Sequence, residues 1–399
     1  MKILHVITTD TGGAGTAALR IHQGLLNIGC ESKVLCMNKK KDHEFVYEYP
    51  VSFLERINRF VRKKGLRSNE LYKIKKEFRK IDSEVEIFTF PYSYLDITST
   101  FLFKDADIIN LHWTSGFLDY MSFFEKVNKP VVWTLHDMNP FMGGFHYQED
   151  CDNNPGLKEL ETKIISIKNN EVDKIKKLTI VTPSLWLKSS SEKSIILGRF
   201  EHNCIPYGLD MKVFRPIDKK IVRKKYNIPD CNNLLLFVSE NINNRRKGFE
   251  LLIDSLKFLK NDNISIGVIG ACDNKIDLPN AYYWGQINDE NILAELYSAA
   301  DAFILPSRED NLPNTMLESI ACGTPVICFP VGGMLDVIKT GFNGILANDI
   351  SALDMAEAIN KFLLMKEEFN SNAIRNFALE NYSLEKPALL YEKLYMKML

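Results

Sequence analysis

The sequence predicts an α/β protein of two doubly wound domains, each a parallel sheet covered by helices on both faces. Three observations carry this expectation. Apolar runs of strand length recur along the 399 residues, each followed by turn residues and then a helical pattern. The runs are continuously apolar rather than alternating, as strands buried on both faces are. They also fall into two series, the size relation expected of two domains at roughly 100–200 residues each.

The first series is KILHVIT (2–8), SKVLCM (32–37), ADIINLHW (106–113), PVVWTLH (130–136) and LTIVTPS (178–184). The second is NLLLFVS (233–239), ISIGVIG (264–270), DAFILPS (301–307), PVICFPV (325–331) and GILAND (344–349). Between them IPYGLDMKVFRP (205–216) carries Pro206, Gly208 and Pro216 without helical periodicity and reads as a linker. The expected division is a first domain over 1–205, a linker over 206–216 and a second domain over 217–382. The tail, about 383–399, is helical with apolar residues around much of its face. Such a helix must pack on something, and the first domain is the expected place.

Composition narrows the classes. Fifty Lys and Arg against 51 Asp and Glu exclude a globally basic nucleic-acid binder. Eight cysteines form no C-x-x-C pair, and several lie in apolar runs, so they read as small core residues in a reducing compartment. MKILHVITTD is too short an apolar run for a signal peptide, and no run approaches a membrane span, so the expected location is cytoplasmic. One local charge bias stands out. Residues 55–80 hold eleven Lys and Arg against three Glu, with Leu54, Ile57, Phe60 and Val61 forming a short apolar face. This is a solvated surface or a lip for an anionic membrane on the inner face of the plasma membrane.

The chemistry-bearing string is PSREDNLPNTMLESIACGTPVI (306–327). DAFILP is a strand and TMLESIACG a helix closed by Gly323, so the loop between them lies at the carboxyl end of a parallel strand. Ligands bind at that edge, and the helix N-terminus offers N–H groups to an anion. Asp310 and Glu318 both face it. Thr315-x-x-Glu318 also fits a capping box, in which Glu318 only satisfies a backbone N–H. DTGGAG (10–15) places Gly12 and Gly13 after the first strand, as a phosphate-approaching loop or a plain turn. His112, His136, His146 and Cys151 lack metal-ligand spacing such as H-E-x-x-H, and no metal is expected.

The 22-residue string resembles the signature of the family 4 retaining glycosyltransferases, which have the two-domain GT-B fold with a cleft between the domains. In that pattern a first acid is followed, after seven residues, by a second Glu and then A-C-G-x-P-V. Here the first acid is Asp310, the second Glu318, and NLPN stands where G-F-G is usual. PYGLDMKVFRP, NNRRKGFELLIDSL and VGGMLDVIKTGFNGIL resemble further family segments, although SE (Ser239, Glu240) replaces the usual GR. NLHW and WTLHDMNPFMGGFHY resemble the colanic-acid, capsule and lipopolysaccharide branch.

The resemblance implies transfer of a hexose from a UDP- or GDP-sugar to a glycan or polyprenyl-linked acceptor, without a metal or other cofactor. It implies Arg246 (or Arg245) and Lys247 on the diphosphate, and Glu318 on the ribose. Asp310 with Asn311, Leu312, Pro313, Asn314 and Thr315 falls at the donor sugar, Gly12 and Gly13 near donor phosphate or acceptor, and His136 near the acceptor or reacting sugar. A nucleotide-sugar 2-epimerase of similar layout and a non-catalytic sugar-nucleotide-binding subunit are the competing readings.

Overall fold

The computed structural model of the chain describes residues 1–51, 70–81, 84–259, 263–272, 278 and 280–399. The chain divides into two compact units, one of residues 1–206 with 387–399, the other of residues 207–386.

The first unit is built on seven parallel strands: β1 (Lys2–Thr9), β2 (Glu31–Asn38), β3 (Val46–Glu48), β4 (Ile108–Leu111), β5 (Val131–Thr134), β6 (Leu178–Thr182) and β7 (Glu201–Cys204). Their order is β3-β2-β1-β4-β5-β6-β7. The internal strands β1, β4, β5 and β6 are buried along both faces, so each buries two layers of side chains at once. On one face Phe117, Phe124, Trp133 and Ile164 belong to a large core. On the other, Ile3, Ile108, Val132 and Val181 meet Ala388, Tyr391 and Tyr395 of the tail helix Glu385–Met398.

That tail helix is fixed by polar groups as well. The Asn110 amide donates to the Tyr395 hydroxyl at 2.7 Å, and the Thr134 and Tyr391 hydroxyls lie 3.1 Å apart, all buried. A buried polar pair is neutral or favourable only while both partners are present, so these contacts specify one seating of the helix.

The second unit has six parallel strands: β8 (Asn233–Asn241), β9 (Ile264–Ala271), β10 (Ala281–Gly285), β11 (Ala302–Leu305), β12 (Val326–Cys328) and β13 (Gly344–Leu346). Their order is β10-β9-β8-β11-β12-β13, and a separate core of Leu235, Phe249, Ile304, Ile327 and Phe362 fills it. The helices start where the sequence offers caps. The Asp289, Ser351 and Asn370 side chains each accept a backbone N–H of the first turn.

In both sheets the chain winds one way and then the other, and the reversal falls between β1 and β4 in the first and between β8 and β11 in the second. At such a point the loops leaving two neighbouring strands diverge and open a crevice at the carboxyl edge.

Three strands were not expected: β3, β7 and β10. All three are sheet edges. An edge strand needs main-chain pairing on one side only, so its residues are free to be polar. The segment read as a linker is packed against the second unit. Leu209 and Phe214 are buried, Leu209 N–H donates to the Tyr382 carbonyl at 2.7 Å, and the Arg375 guanidinium donates to the Met211 and Ala321 carbonyls. Proline and glycine there mark irregular backbone rather than an exposed connection. The residues Leu54, Ile57, Phe60 and Val61, and the basic stretch as far as residue 69, lie outside the described residues. The remainder begins the helix Glu70–Phe78, in which Ile74 is buried.

Candidate active site

The second unit assembles most of the expected donor-site residues at its switch point. β8 leads into the short turn Arg245–Lys247, and β11 leads into the loop over 306–313. The two loops are laced together. Arg308 N–H donates to the Arg246 carbonyl at 2.8 Å, and the Arg246 guanidinium donates to the Glu309 carbonyl at 3.1 Å. At the centre lies Asp310, buried, with the Lys247 ammonium 2.5 Å and the Arg246 guanidinium 3.7 Å from its carboxylate. Burial alone would raise the Asp310 pKa, but the charges of Lys247 and Arg246 outweigh it and hold the carboxyl below its ordinary value. Arg245 is exposed, so it is Arg246 that the fold turns towards Asp310.

The helix Asn314–Ala321 follows directly. Its N-cap is Pro313, with no side-chain cap, and its first turn holds no acid. The Thr315–Glu318 capping box therefore does not form, because the helix begins two residues earlier than that reading requires. Glu318 is buried instead, accepting from the Tyr297 hydroxyl at 3.3 Å. Asn311 and Leu312 are buried and Asn314 and Thr315 half-buried beside it, with Pro313 as the cap between them.

Two glycines hold this arrangement and were not singled out from the sequence. Gly332 has φ 53°, and a Cβ there would run into the Asp310 carbonyl oxygen. Gly248, φ 69°, would meet the Pro306 carbonyl in the same way. In both places only glycine tolerates the left-handed backbone and the close approach together. Their signal was present: Gly248 follows Lys247, and Gly332 opens the VGGM segment. Next to it, Gly333 N–H donates to the Asn311 carbonyl at 2.6 Å, which ties that segment to the acidic loop.

The first unit carries the rest. β1 ends in the helix Gly12–Asn27, with Gly12 (φ 74°) and Gly13 exposed at its N-terminus and no acid in its first turn. His136 lies two residues beyond β5 and is buried. Its Nε2 is 3.0 Å from His112 Nδ1, so these two rings spend a nitrogen on each other. Beside them Asp137 accepts from Trp113 Nε1 at 2.9 Å and from His146 Nδ1 at 2.6 Å. Burial opposes the Asp137 carboxylate, but the contacts with His146 and the Asn139 N–H hold its pKa low. His146 Nε2 in turn meets the Thr89 hydroxyl at 2.8 Å. A small pocket opens here, lined among others by Thr89, Trp113, Ser115, His136, Asp137 and Lys168.

Lys168 is a residue the sequence did not flag. It is fully buried, and its ammonium donates to the Asn139 and Met142 carbonyls at 2.7 and 3.1 Å. Burial pushes it down to about 7 against the pull of Glu161 and Asp137. Glu161 in turn accepts from Gly143 N–H at 2.5 Å and Gly144 N–H at 2.6 Å, so one helix, Lys158–Val172, fixes the whole loop after β5. Cys151 packs against the first core. Among the described residues no three His, Cys, Asp or Glu side chains converge as metal ligands.

Residues 218–378 match the family described as glycosyl transferases group 1. The chain is 26% identical over 279 residues to a D-inositol 3-phosphate glycosyltransferase of Streptosporangium roseum, covering 64% of this chain and 61% of that protein. It is 28% identical over 203 residues, 47% of this chain and 52% of the other, to an N,N'-diacetylbacillosaminyl-diphospho-undecaprenol alpha-1,3-N-acetylgalactosaminyltransferase of Campylobacter jejuni. The matches thus span less than two thirds of the length of these curated relatives. Among solved structures, Anabaena Alr3699/HepE in complex with UDP-glucose superposes with a TM-score of 0.69 at 14% identity, covering all of both chains. Residues 218–378 are thus similar to the glycosyl transferases group 1 family, and the two parallel-sheet units of the chain have the GT-B fold.

Proposed function

We propose that this protein is a retaining, metal-independent hexosyltransferase. It moves a sugar from a UDP- or GDP-linked donor to a glycan or polyprenyl-linked acceptor in building a bacterial surface polysaccharide. The observation that carries the reading is the cluster of Lys247, Arg246 and Asp310 at the switch point of the family-matched domain, with buried Glu318 on the adjoining helix.

Breaking the anomeric bond places negative charge on the diphosphate and positive character on the sugar. Lys247 and Arg246 meet the first, and the bare N-terminus of the helix Asn314–Ala321 adds N–H groups to the same end. Before donor binds, Asp310 pairs with Lys247 and faces Arg246, offsetting part of their charge. A diphosphate then shares those cations with Asp310, whose second oxygen is directed by the Asn311 N–H at 3.0 Å. In this reading Asp310 and the backbone of Asn311, Leu312, Pro313 and Asn314 hold donor-sugar hydroxyls, with Thr315 in the helix's first turn. Glu318 accepts from the ribose, Gly12 and Gly13 approach the phosphates, and His136 orients the reacting sugar.

The UDP-glucose bound by the Anabaena protein supports a uridine donor, and the undecaprenol-linked substrate in the name of the Campylobacter relative supports a lipid-linked acceptor. Among the described residues no helix is long and apolar enough to cross a membrane; in this reading the protein meets such an acceptor peripherally.

The test is a thermal-shift screen of nucleotide sugars, followed by mass spectrometry of candidate acceptors with excess EDTA present. Transfer with retained configuration and undiminished rate in EDTA is expected. A rate lost in EDTA and restored by magnesium or manganese refutes the metal-free mechanism, and failure of every nucleotide sugar to bind refutes the function.

A further inference from the structure

The loop after β4, the segment before Phe90 and the loop after β5 are joined by a polar line that the donor chemistry does not use. Asp137 Oδ2 lies 2.6 Å from His146 Nδ1, His146 Nε2 lies 2.8 Å from the Thr89 hydroxyl, and the Thr89 hydroxyl lies 2.5 Å from the Ser115 hydroxyl. Burial falls along it: Asp137 and His146 are buried, Thr89 and Ser115 half-buried, and Gly116 after Ser115 is exposed. The outer end lies at the switch point of the sheet. Thr8, next to last in β1, donates from its hydroxyl to the Ser115 carbonyl at 2.8 Å, so Ser115 sits where the loops leaving β1 and β4 part. Thr89 and Ser115 both line the pocket that opens there.

The position of each proton follows from the inner end of the line. Asp137 is ionised and already accepts from the Trp113 indole and, on its other oxygen, from the Asn139 N–H. A carboxylate has only lone pairs to offer, so the 2.6 Å contact puts a proton on His146 Nδ1. Trp113 Nε1 also lies 3.4 Å from that nitrogen, too far to compete. A neutral His146 ring then has its one lone pair on Nε2, facing the Thr89 hydroxyl. Thr89 fills it with its own proton, Ser115 gives its proton to the Thr89 oxygen, and the lone pairs of Ser115 are left for a group outside. This is the order of a carboxylate–imidazole–hydroxyl base, extended by one hydroxyl. The His146 side chain is only 2% exposed, so a substrate reaches the imidazole through the two hydroxyls. A mere pin between loops has no use for a buried ion, since apolar groups of the same shape hold as well or better.

We propose that Ser115 is the catalytic residue that takes the proton of the acceptor hydroxyl, with Thr89, His146 and Asp137 acting through it as a relay. This rests on the transferase reading. As the bond from the anomeric carbon to the diphosphate oxygen breaks, its electron pair leaves with the diphosphate, and the acceptor oxygen bonds the anomeric carbon. The acceptor proton moves to Ser115, the Ser115 proton to Thr89 and the Thr89 proton to His146 Nε2. The imidazolium so formed is held by the Asp137 carboxylate. After product release the same steps in reverse hand that proton to water, and the line is reset.

The kinetic arm of the test uses the full-length protein with UDP-glucose, or whichever nucleotide sugar the thermal-shift screen selects, and water as the acceptor. Thr89→Val keeps the shape of threonine without its hydroxyl and is expected to lower kcat about 10²-fold, with donor KM changed less than about twofold. Thr89→Ser keeps the hydroxyl and is expected to recover most of that loss, and Ser115→Ala to match Thr89→Val. In mixtures of light and heavy water the wild-type rate is expected to follow a curve, as when several protons move together, and the rate of Thr89→Val a straight line. Equal losses in Thr89→Val and Thr89→Ser, or a straight line in the wild type, overturn the relay.

The spectroscopic arm reads the line without turnover. Long-range proton–nitrogen spectra of protein labelled at histidine nitrogens, assigned with His146→Gln, are expected to show His146 at about pH 7.5 as the neutral Nδ1–H tautomer, with its Nε2 signal moved in Thr89→Val. An Nε2–H tautomer, or a ring charged at that pH, overturns the relay. If no nucleotide sugar is turned over, the transferase reading fails and takes the relay with it, whereas turnover that does not depend on the Thr89 hydroxyl removes the relay alone.

Discussion

Glu318 sits on the first turns of a helix, where a carboxylate commonly does nothing more than cap a backbone N–H. Its neighbours show otherwise: the cap position is Pro313, and Glu318 is buried against the Tyr297 hydroxyl. Glu318→Ala is therefore expected to weaken nucleotide-sugar binding by about 1.5–3 kcal/mol, the worth of a hydrogen bond to a charged group. Calorimetric titration of folded protein checks it, and unchanged affinity would remove Glu318 from the donor site. Lys247 makes a sharper case, because it neutralises a buried acid as well as meeting phosphate. Lys247→Met is expected to lower turnover by about 10²-fold or more and also to destabilise the fold, since Asp310 is left with only the more distant Arg246. Adding Asp310→Asn should restore the melting temperature and leave turnover low. The pair also predicts a pH response. Asp310 has a folded pKa below its ordinary value of 3.8, so its contribution to stability is present above that value and is lost as pH falls through the lower folded one. Acid unfolding of Lys247→Met should accordingly show a shallower loss below about pH 4 than the wild type.

At the scale of elements, the active loops are held by backbone approach rather than by side-chain packing. Gly248 and Gly332 bring the turn after Lys247 and the VGGM segment against the carbonyls of Pro306 and Asp310. Gly332→Ala should cost about 2 kcal/mol or more, because it combines a disfavoured φ with a collision against main chain. Chemical denaturation and donor titration together check this: stability and affinity are expected to fall in the same variant. Such positions are only partly legible beforehand. The acid string, the paired cations and the helix that follows them were readable from residue type and spacing. The φ of Gly332 and the oxygen it faces were not, because they depend on where a loop some twenty residues earlier in the chain comes to rest.

For the whole molecule, the chain returns at its end to the unit in which it began. Residues 387–399 complete the first unit, with Tyr391, Leu394 and Tyr395 covering one face of its sheet. Truncation after Lys386 should leave residues 1–206 insoluble or partly unfolded, while residues 207–386, with their own core, fold and bind nucleotide alone. Within the full chain, Tyr395→Phe strands the Asn110 amide and is expected to cost about 1–3 kcal/mol, read from the unfolding midpoint.

The sequence by itself determined the two parallel sheets, because a strand buried on both faces is apolar along its length and these runs are of strand length and alternate with helical patterns. It also determined the acid-and-cation set of the second unit, whose members lie near strand ends in short, unusual strings. The edge strands β3, β7 and β10 escaped because one-sided pairing leaves most of their residues half-buried or exposed, without a fully buried run. Only the tertiary structure decided that Arg246 rather than Arg245 turns to Asp310, that Glu318 is no cap, and that Lys168 is buried beneath the loop after β5. It also joined His5, His112 and His136, which are far apart in sequence, into one line. These are contacts between distant parts of the chain, and their geometry is set by how strands order themselves in a sheet, which no local pattern encodes.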